Sequence, residues 1–194
     1  MTRLIKVASL LLMSVGSAQA AEIGSHAELS TNKGSMLIGL YDKASPVTVA
    51  NFQQYCRDGF YDNTIFHRVI KRFAIQAGGY TPELEQKAVR EPIKNESDNR
   101  LRNSRYTIAM ARTDDPDSAT SQFFINMGLN FKLNYRMDRP GYAVFGELIE
   151  GQDVAQQIAK VKTHAYGGFD DLPVEPVLIE SCRILPASET ANSD

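Results

Sequence analysis

The sequence predicts a mainly β fold, a closed antiparallel barrel with helices at its ends. Three observations lead to this prediction. Short runs of aliphatic, β-branched and aromatic residues recur along the chain, and turn signals that contain glycine, asparagine or aspartate separate them. Only two segments have apolar residues at the spacing of an amphipathic helix. Because no internal repeat and no linker interrupts these elements, they are expected to form one domain.

A β-hairpin and a helix are expected first. Residues 27–41 contain two strand-like runs around a turn that ends at Gly34. A helix is expected to follow, since Ser45 suits the N-cap and Pro46 suits the first helical position. Gly59 is expected to end this helix. The expected buried face consists of Val49, Phe52 and Cys56.

The rest of the domain is expected to contain six more strand-like runs and one more helix. The helix is expected over residues 152–160, and Gly167-Gly168 is expected to form a turn. Residues 80–105 are polar and contain two prolines, so a long loop is expected there, and such loops are often functional. The expected strands are residues 64–70 and 73–77, which form either two strands or one bent strand, and residues 107–111, 123–126, 143–147 and 177–185.

The start of the chain has the three parts of an export signal. Arg3 and Lys6 form a basic start, and residues 7–16 form an apolar stretch. A small-residue cleavage site then ends at Ala20. The apolar stretch is shorter than the roughly 20 residues that cross a bilayer, and a helix of the folded domain would not need this order of parts. The expected organisation is a signal peptide over residues 1–20, a folded domain over 21–185 and a disordered tail over 186–194.

The charge, the histidines and the cysteines limit the classes of function. With a net charge of −2 and no long apolar run after the signal, neither a nucleic acid nor a membrane is expected as a partner. His26, His67 and His164 lack the spacing of metal ligands, so no metal site is expected. Cys56 and Cys182 leave two alternatives, a disulfide in an oxidising compartment or two buried thiols.

One expected strand contains polar side chains that a core strand seldom holds. Arg68 and Gln76 lie in the segment 66–76 among apolar residues, and a buried polar group is costly unless it is paired. In a regular strand, Arg68 shares a face with Phe66 and Ile70. On this pattern alone, Arg68 is either a functional charge or an exposed charge on an edge strand.

A second segment, residues 121–126, has a similar alternation. Gln122 and Phe124 fall on one face of the expected strand, and Phe123 and Ile125 fall on the other. An aromatic pair of this kind usually belongs to a core, so the segment does not indicate a site by itself.

Seven motifs spread along the chain carry a family resemblance. They are Pro46–Phe52, Gly59–Tyr61, Phe66–Arg68, Phe73–Gln76, Thr107–Arg112, Ser118–Ile125 and Tyr142–Gly146. In this order they resemble the motifs of the cyclophilins, and most closely those of the exported bacterial branch. The resemblance extends from about residue 27 to residue 185. It implies an eight-stranded antiparallel barrel capped by two helices, and it implies a peptidyl-prolyl cis–trans isomerase.

The resemblance also implies which residues carry the reaction. Arg68 matches the family's catalytic arginine, and neither a cofactor nor a metal is implied. The residues that match the substrate-binding surface are Phe73, Ala74, Gln76, Ala111, Arg112, Thr113, Gln122, Phe124, Leu133 and Tyr142.

This set of residues suits an isomerisation. Rotation about an X–Pro bond breaks no covalent bond and is opposed by amide resonance, with a barrier of about 18–20 kcal/mol. In the twisted transition state the prolyl nitrogen regains its lone pair and accepts a hydrogen bond. A guanidinium beside that nitrogen therefore binds the transition state more tightly than either planar state.

The resemblance further implies partners and a compartment. The expected partners are proline-containing unfolded or partly folded polypeptides in the periplasm, and the expected role is to assist the folding of exported proteins. A monomer is the default expectation. The alternative is a peptide-binding or chaperone module with incidental activity, but the intact Arg68 favours the enzyme. The family's barrel brings Cys56, at the end of the first helix, close to Cys182 in the last strand, which favours a disulfide.

Overall fold

Eight strands close into an antiparallel barrel in the computed structural model, which describes residues 21–186. The predicted signal peptide over 1–20 and residues 187–194 of the predicted tail lie outside the described residues. The barrel strands are β1 (Ser25–Thr31), β2 (Gly34–Leu40), β3 (Thr64–Ile70), β4 (Ala74–Ala77), β5 (Thr107–Met110), β6 (Phe123–Asn126), β7 (Val144–Glu150) and β10 (Leu178–Leu185). Around the barrel they follow the order β1-β10-β3-β4-β6-β5-β7-β2, and each neighbouring pair is antiparallel.

Two helices pack against the barrel core, so the predicted fold class is confirmed. Helix α1 spans Pro46–Arg57, and helix α2 spans Gln152–Ile158. The predicted apolar face of α1 is buried in the main core, where the Phe52 ring lies 5.5 Å from the Phe123 ring. The apolar residues that the strands direct inward form one packed core in the barrel interior. Within residues 21–186, no helix is long and apolar enough to cross a membrane.

The start of α1 is stabilised by a distant carboxylate and not by its N-cap side chain. Ser45 occupies the N-cap position, but its hydroxyl donates to the carbonyl oxygen of Val144 at 2.7 Å and makes no cap bond. The Glu96 carboxylate accepts instead from the backbone N–H groups of Val47 at 3.1 Å and Thr48 at 2.8 Å. This carboxylate satisfies two N–H groups that a helix leaves free at its N-terminus, and it anchors the long loop over residues 80–105 to the helix.

A second, two-stranded sheet was not expected from the sequence. It consists of β8 (Thr163–Tyr166) and β9 (Phe169–Pro173), which pair as an antiparallel hairpin. The predicted turn at Gly167-Gly168 is present, with φ angles of 60° and 88°. All four residues of β8 are exposed, so the strand lacks the apolar alternation that marks a strand in a sequence. The hairpin lies against β3, which brings β9 to the region of Arg68.

Phe66 and Arg68 were predicted to share one face of a strand. This prediction is wrong, because β3 contains a β-bulge between them. Phe66 pairs with Ala77 and Arg68 pairs with Gln76, so His67 is an extra residue without a partner of its own. Phe66 and Val69 both enter the main core, whereas Arg68 lies on the outer surface. A bulge shifts the alternation by one residue and redirects a side chain, a device that is common near active sites.

A disulfide joins the end of α1 to the last strand. Cys56 and Cys182 are bonded, with Cα atoms 5.0 Å apart and 126 residues between them in sequence. Both side chains are buried. The bond therefore closes a loop that contains most of the barrel.

Candidate active site

The outer surface of strands β4, β5 and β6 carries a second apolar cluster. Phe123 and Ile125 of β6 point into the barrel core, whereas Phe124 belongs to the outer cluster together with Ala74 and Ala109. The predicted alternation of Phe123, Phe124 and Ile125 is therefore confirmed. Since a strand presents successive side chains to opposite faces, the same three strands build both the core and the floor of a surface site.

A cavity of about 150 Å³ lies on this outer cluster. A cavity of that size can hold a benzene-sized ring. A larger cavity of about 200 Å³ lies beside the β8–β9 hairpin, and it contains none of the sequence-predicted site residues. The cavity on the outer cluster is lined by Arg68, Phe73, Ala74, Gln76, Ala111, Arg112, Phe124, Leu133 and Tyr142. We call it the proline cavity, after the ligand that the sequence leads us to expect.

Arg68 stands at the rim of the proline cavity, and its side chain is 46% exposed. Its guanidinium carbon lies 5.9 Å from the centre of the Phe73 ring. Its Nε atom lies 3.7 Å from a carboxylate oxygen of Asp171 on β9. Asp171 was not expected from the sequence, because it belongs to the hairpin that the sequence pattern did not predict. The arginine keeps donors free for a ligand, because this ion pair engages one side of its fork.

Two glutamines form a polar wall beside Arg68. Gln76 lies in β4, and Gln122 is the residue just before β6. The Gln76 side-chain amide donates to the Gln122 side-chain oxygen at 2.9 Å. Gln76 is also the cross-strand neighbour of Arg68. Gln122 does not line the proline cavity itself, so it acts on the site through Gln76.

The Arg112 guanidinium is held by backbone carbonyl groups. It donates to Gly141 at 3.2 Å, to Pro140 at 3.2 Å and to Thr113 at 2.8 Å. It also lies over the Tyr142 ring, with its central carbon 4.6 Å from the ring centre. Arg112 is thus a fixed part of the wall. Thr113 contributes its carbonyl oxygen to this arrangement and does not itself line the cavity.

The floor of the proline cavity is aromatic and aliphatic. Phe124 is buried, and its ring meets the Tyr142 ring edge to face at a centre-to-centre distance of 5.7 Å. Phe73 and Leu133 pack against the same cluster. An apolar floor beside one half-exposed cation is suited to a ligand that is apolar at one end and polar at the other.

A network of buried asparagines supports the floor, and sequence reasoning assigned it no role. The Asn103 side chain donates to the carbonyl oxygens of Leu133 at 3.2 Å and Tyr142 at 3.3 Å, and it accepts from Asn126 at 3.2 Å. Asn130 continues the network, because its amide donates to Asn126 at 2.6 Å and to the Phe73 carbonyl at 2.8 Å. The signal for this network is weak in the sequence, since these asparagines resemble ordinary turn residues.

His67, the bulged residue, is buried beneath the β8–β9 hairpin. Its ring centre lies 4.8 Å from that of Tyr80 and 5.8 Å from that of Phe169. Burial lowers the pKa of His67 from 6.5 to about 4, and the neighbouring Arg68 charge acts in the same direction. Within residues 21–186, no group of three or more His, Cys, Asp or Glu side chains is placed to hold a metal ion.

The buried imidazole predicts a loss of stability in mild acid. Between pH 6.5 and pH 4 the unfolded state binds a proton at His67 that the folded state does not. The stabilising effect of the neutral imidazole is complete above pH 6.5 and is lost as the pH falls toward 4. We expect wild type to lose about 2–3 kcal/mol more than His67→Gln between pH 7 and pH 4.5. Urea unfolding of both proteins at the two pH values measures this, and equal pH dependence would contradict the burial of an uncharged His67.

Comparison with known proteins places the chain in a family. The family model described as cyclophilin type peptidyl-prolyl cis-trans isomerase/CLD matches residues 26–184. The peptidyl-prolyl cis-trans isomerase cyp18 of Streptomyces antibioticus is 55% identical over 161 residues, which cover 81% of this chain and 97% of the relative. Peptidyl-prolyl cis-trans isomerase A of Dickeya dadantii (strain 3937) is 45% identical over 179 residues, which cover 92% of this chain and 94% of the relative.

A solved structure supports the same assignment. The crystal structure of a Cryptosporidium parvum cyclophilin type peptidyl-prolyl cis-trans isomerase, determined in the presence of the dipeptide Ala-Pro, matches with a TM-score of 0.72 and 26% identity. The match covers 83% of this chain and 99% of the solved chain. The chain therefore belongs to the cyclophilin-type peptidyl-prolyl cis–trans isomerases and is an enzyme of that activity.

Proposed function

We propose that this isomerase is exported to the periplasm and there accelerates rotation about X–Pro bonds of folding polypeptides, with Arg68 as its catalytic residue. One observation carries the assignment of Arg68. It is a half-exposed guanidinium at the rim of an apolar cavity large enough for a small ring. No other arginine or lysine that lines the cavity is free to move, because Arg112 is held by three carbonyl oxygens.

The catalytic contribution of Arg68 comes from transition-state binding. The proline ring enters the cavity and rests on Phe73, Phe124 and Leu133, which restrain it while the preceding carbonyl rotates. As the amide twists, the prolyl nitrogen loses its conjugation and becomes a hydrogen-bond acceptor. The Arg68 fork donates to that nitrogen, and this contact is absent in both planar states. Catalysis of this kind needs neither a nucleophile nor a covalent intermediate.

The remaining predicted residues position the substrate. Gln76 and Gln122 form the polar wall that faces the rotating carbonyl. The segment Ala111–Thr113 directly follows β5. We assign to this segment the binding of the peptide's backbone. Support for peptide binding comes from a relative, because the matched cyclophilin crystal structure was determined in the presence of the dipeptide Ala-Pro.

Export is supported by the start of the sequence and by the disulfide. The basic start, the apolar stretch and the site ending at Ala20 have the order of a cleavable signal. The bond between Cys56 and Cys182 suits an oxidising compartment. We propose that the mature enzyme acts there as a monomer on unfolded or partly folded proteins that contain proline.

The proposal is tested by location and by refolding. Expression of the full chain in a Gram-negative host, followed by osmotic-shock fractionation and mass spectrometry, is expected to give a mature protein that begins at Ala21. The purified protein is expected to accelerate the proline-limited refolding phase of an exported protein, and Arg68→Ala is expected not to. Uncleaved protein in the cytoplasmic fraction would contradict export, and equal acceleration by Arg68→Ala would contradict the catalytic role.

The asparagine network predicts a measurable effect on substrate binding. Asn103→Ala leaves the carbonyl oxygens of Leu133 and Tyr142 without their shared donor, so we expect the free energy of unfolding to fall by about 2–3 kcal/mol. Because both residues line the proline cavity, KM for a proline peptide is expected to rise several-fold while kcat changes less. Asn32→Ala, in the exposed turn between β1 and β2, serves as the control and is expected to leave KM unchanged. An unchanged KM in Asn103→Ala would contradict the supporting role of the network.

A further inference from the structure

We propose that a second cleft, beside the proline cavity, binds acidic residues that flank the proline of a client polypeptide. The inference rests on the proposed function, because the client must first place its proline in the cavity. The cleft has a volume of about 270 Å³, and we call it the arginine cleft. Its lining includes Arg100, Arg102 and Arg136, together with Leu101 and Met137.

The chain segments that form the arginine cleft are positively charged, whereas the whole chain has a negative net charge. Segments 100–105 and 132–139 contain six arginines and lysines and one acidic residue, while the chain carries a net charge of −2. The acidic residue, Asp138, forms an ion pair with Arg136, whose Nε atom lies 3.3 Å from a carboxylate oxygen. Among the described residues, no ion pair involves Arg100 or Arg102. Their guanidinium groups therefore keep the paired donors that bind a carboxylate in bidentate fashion.

The arginine cleft adjoins the proline cavity. Leu133 lines the cavity, and the next residue, Asn134, lines the cleft. Leu101 lines the cleft and packs against the apolar cluster that forms the floor of the cavity. An extended chain advances only about 3.3 Å per residue. Residues near a bound proline are therefore the ones that reach the cleft.

The cleft is preorganised. The backbone N–H of Asn103 donates to the side chain of Asn134 at 2.7 Å, which ties the two walls together. Arg136 and Arg139 exchange backbone hydrogen bonds of 2.9 and 3.0 Å, which fix the loop that carries Arg136. Because the backbone of the cleft is already held in place, binding orders only the arginine side chains and loses less conformational freedom.

The shape and composition of the site favour a polypeptide over a lipid surface. Three arginines line a concave site that adjoins the proline cavity, and a side-chain carboxylate fits such a site better than a flat headgroup layer does. Met137 is 95% exposed at the edge of the cleft, where it offers an apolar contact to an aliphatic neighbour of the acidic residue. The predicted ligand is an extended segment with glutamate or aspartate close to proline.

The test compares matched peptides and matched variants. Peptides with an Ala-Pro centre carry two glutamates, two glutamines or two lysines, placed either before or after the proline. Their Kd is measured by fluorescence anisotropy, and their isomerisation is measured by exchange NMR. The cleft variant is Arg100→Gln with Arg102→Gln and Arg136→Gln. The control variant removes the same charge elsewhere, by Lys33→Gln with Arg57→Gln and Lys162→Gln.

We expect wild type to bind a glutamate peptide about tenfold more tightly than its glutamine counterpart at low salt, and less so at 150 mM salt. The cleft variant is expected to lose this preference, and the control variant is expected to keep it. Isomerisation of the glutamine peptide is expected to stay within about twofold of wild type in both variants. If no protein isomerises the glutamine peptide, the proposed function fails, and the binding preference is then judged from Kd alone.

Three results would overturn the arginine cleft as a client-binding site. Wild type could show equal affinity for glutamate and glutamine peptides. The preference could fall equally in the cleft and control variants, which would indicate long-range charge only. Vesicles of phosphatidylglycerol and phosphatidylcholine could bind in a cleft-dependent way while the peptides are not discriminated, which would assign the site to a membrane surface.

Discussion

Replacing Arg68 by alanine is expected to lower kcat/KM for a proline tetrapeptide by about 10²–10³-fold, because one preorganised donor to the transition state is typically worth that much. The loss is expected mainly in kcat, since Arg68 stands at the rim of the proline cavity and the apolar floor is left intact. A protease-coupled assay of cis–trans isomerisation measures the change. Arg68→Lys keeps the charge without the planar fork, and we expect it to recover only part of the activity.

Two controls separate catalysis from general effects of charge or stability. Arg57→Ala removes an exposed arginine from helix α1, far from the proline cavity lining, and is expected to leave kcat/KM unchanged. The free energy of unfolding of Arg68→Ala is expected to stay within about 0.5 kcal/mol of wild type, because the side chain is half exposed. A variant that keeps more than half of the wild-type kcat/KM would refute the role of Arg68.

Breaking the disulfide is expected to lower the free energy of unfolding by about 3–5 kcal/mol, because the bond restricts the unfolded chain. Cys56 and Cys182 are 126 residues apart, so the closed loop is long and the entropic effect is near the upper end of the usual range. Urea unfolding with and without reductant measures the effect without a substitution. The double variant Cys56→Ala with Cys182→Ala is expected to match the reduced wild-type protein.

Thiol titration provides the companion measurement. The denatured, unreduced protein is expected to contain no reactive thiol among Cys56 and Cys182, since both are bonded in the structure. The isomerase activity is expected to survive reduction at low temperature, because the bond joins α1 to β10, away from the proline cavity. Two free thiols, or identical urea midpoints with and without reductant, would contradict the stabilising role.

The sequence predicted the parts of the site in which the regular alternation of side chains along one strand determines which face each residue occupies. Phe124 was expected on one face of β6 and Phe123 on the other, and the structure has this arrangement. The same rule failed at Phe66 and Arg68, because it assumes one pairing partner for each residue. The bulge at His67 depends on the register between β3 and β4, which two distant segments set together.

The structural features that the sequence did not predict depend on contacts between residues that are distant in sequence. Glu96 caps α1 from about 50 residues away, while the nearby Ser45 bonds to Val144, and no local pattern separates the two outcomes. The first strand of the hairpin that carries Asp171 is exposed, so its sequence lacks the alternating apolar residues that predict a strand. The number of barrel strands also came from the family resemblance, since short strands alone do not determine how a sheet closes.

We propose that Arg68 stabilises the twisted amide and contributes little to ground-state binding. Exchange NMR on an Ala-Pro peptide, titrated with wild type and with Arg68→Ala, gives the dissociation constant and the on-enzyme rotation rate in one experiment. We predict that the rotation rate falls by at least about 100-fold while the dissociation constant changes by less than about threefold. A dissociation constant that weakens by about 100-fold, with an unchanged rotation rate in the bound peptide, would contradict this role of Arg68.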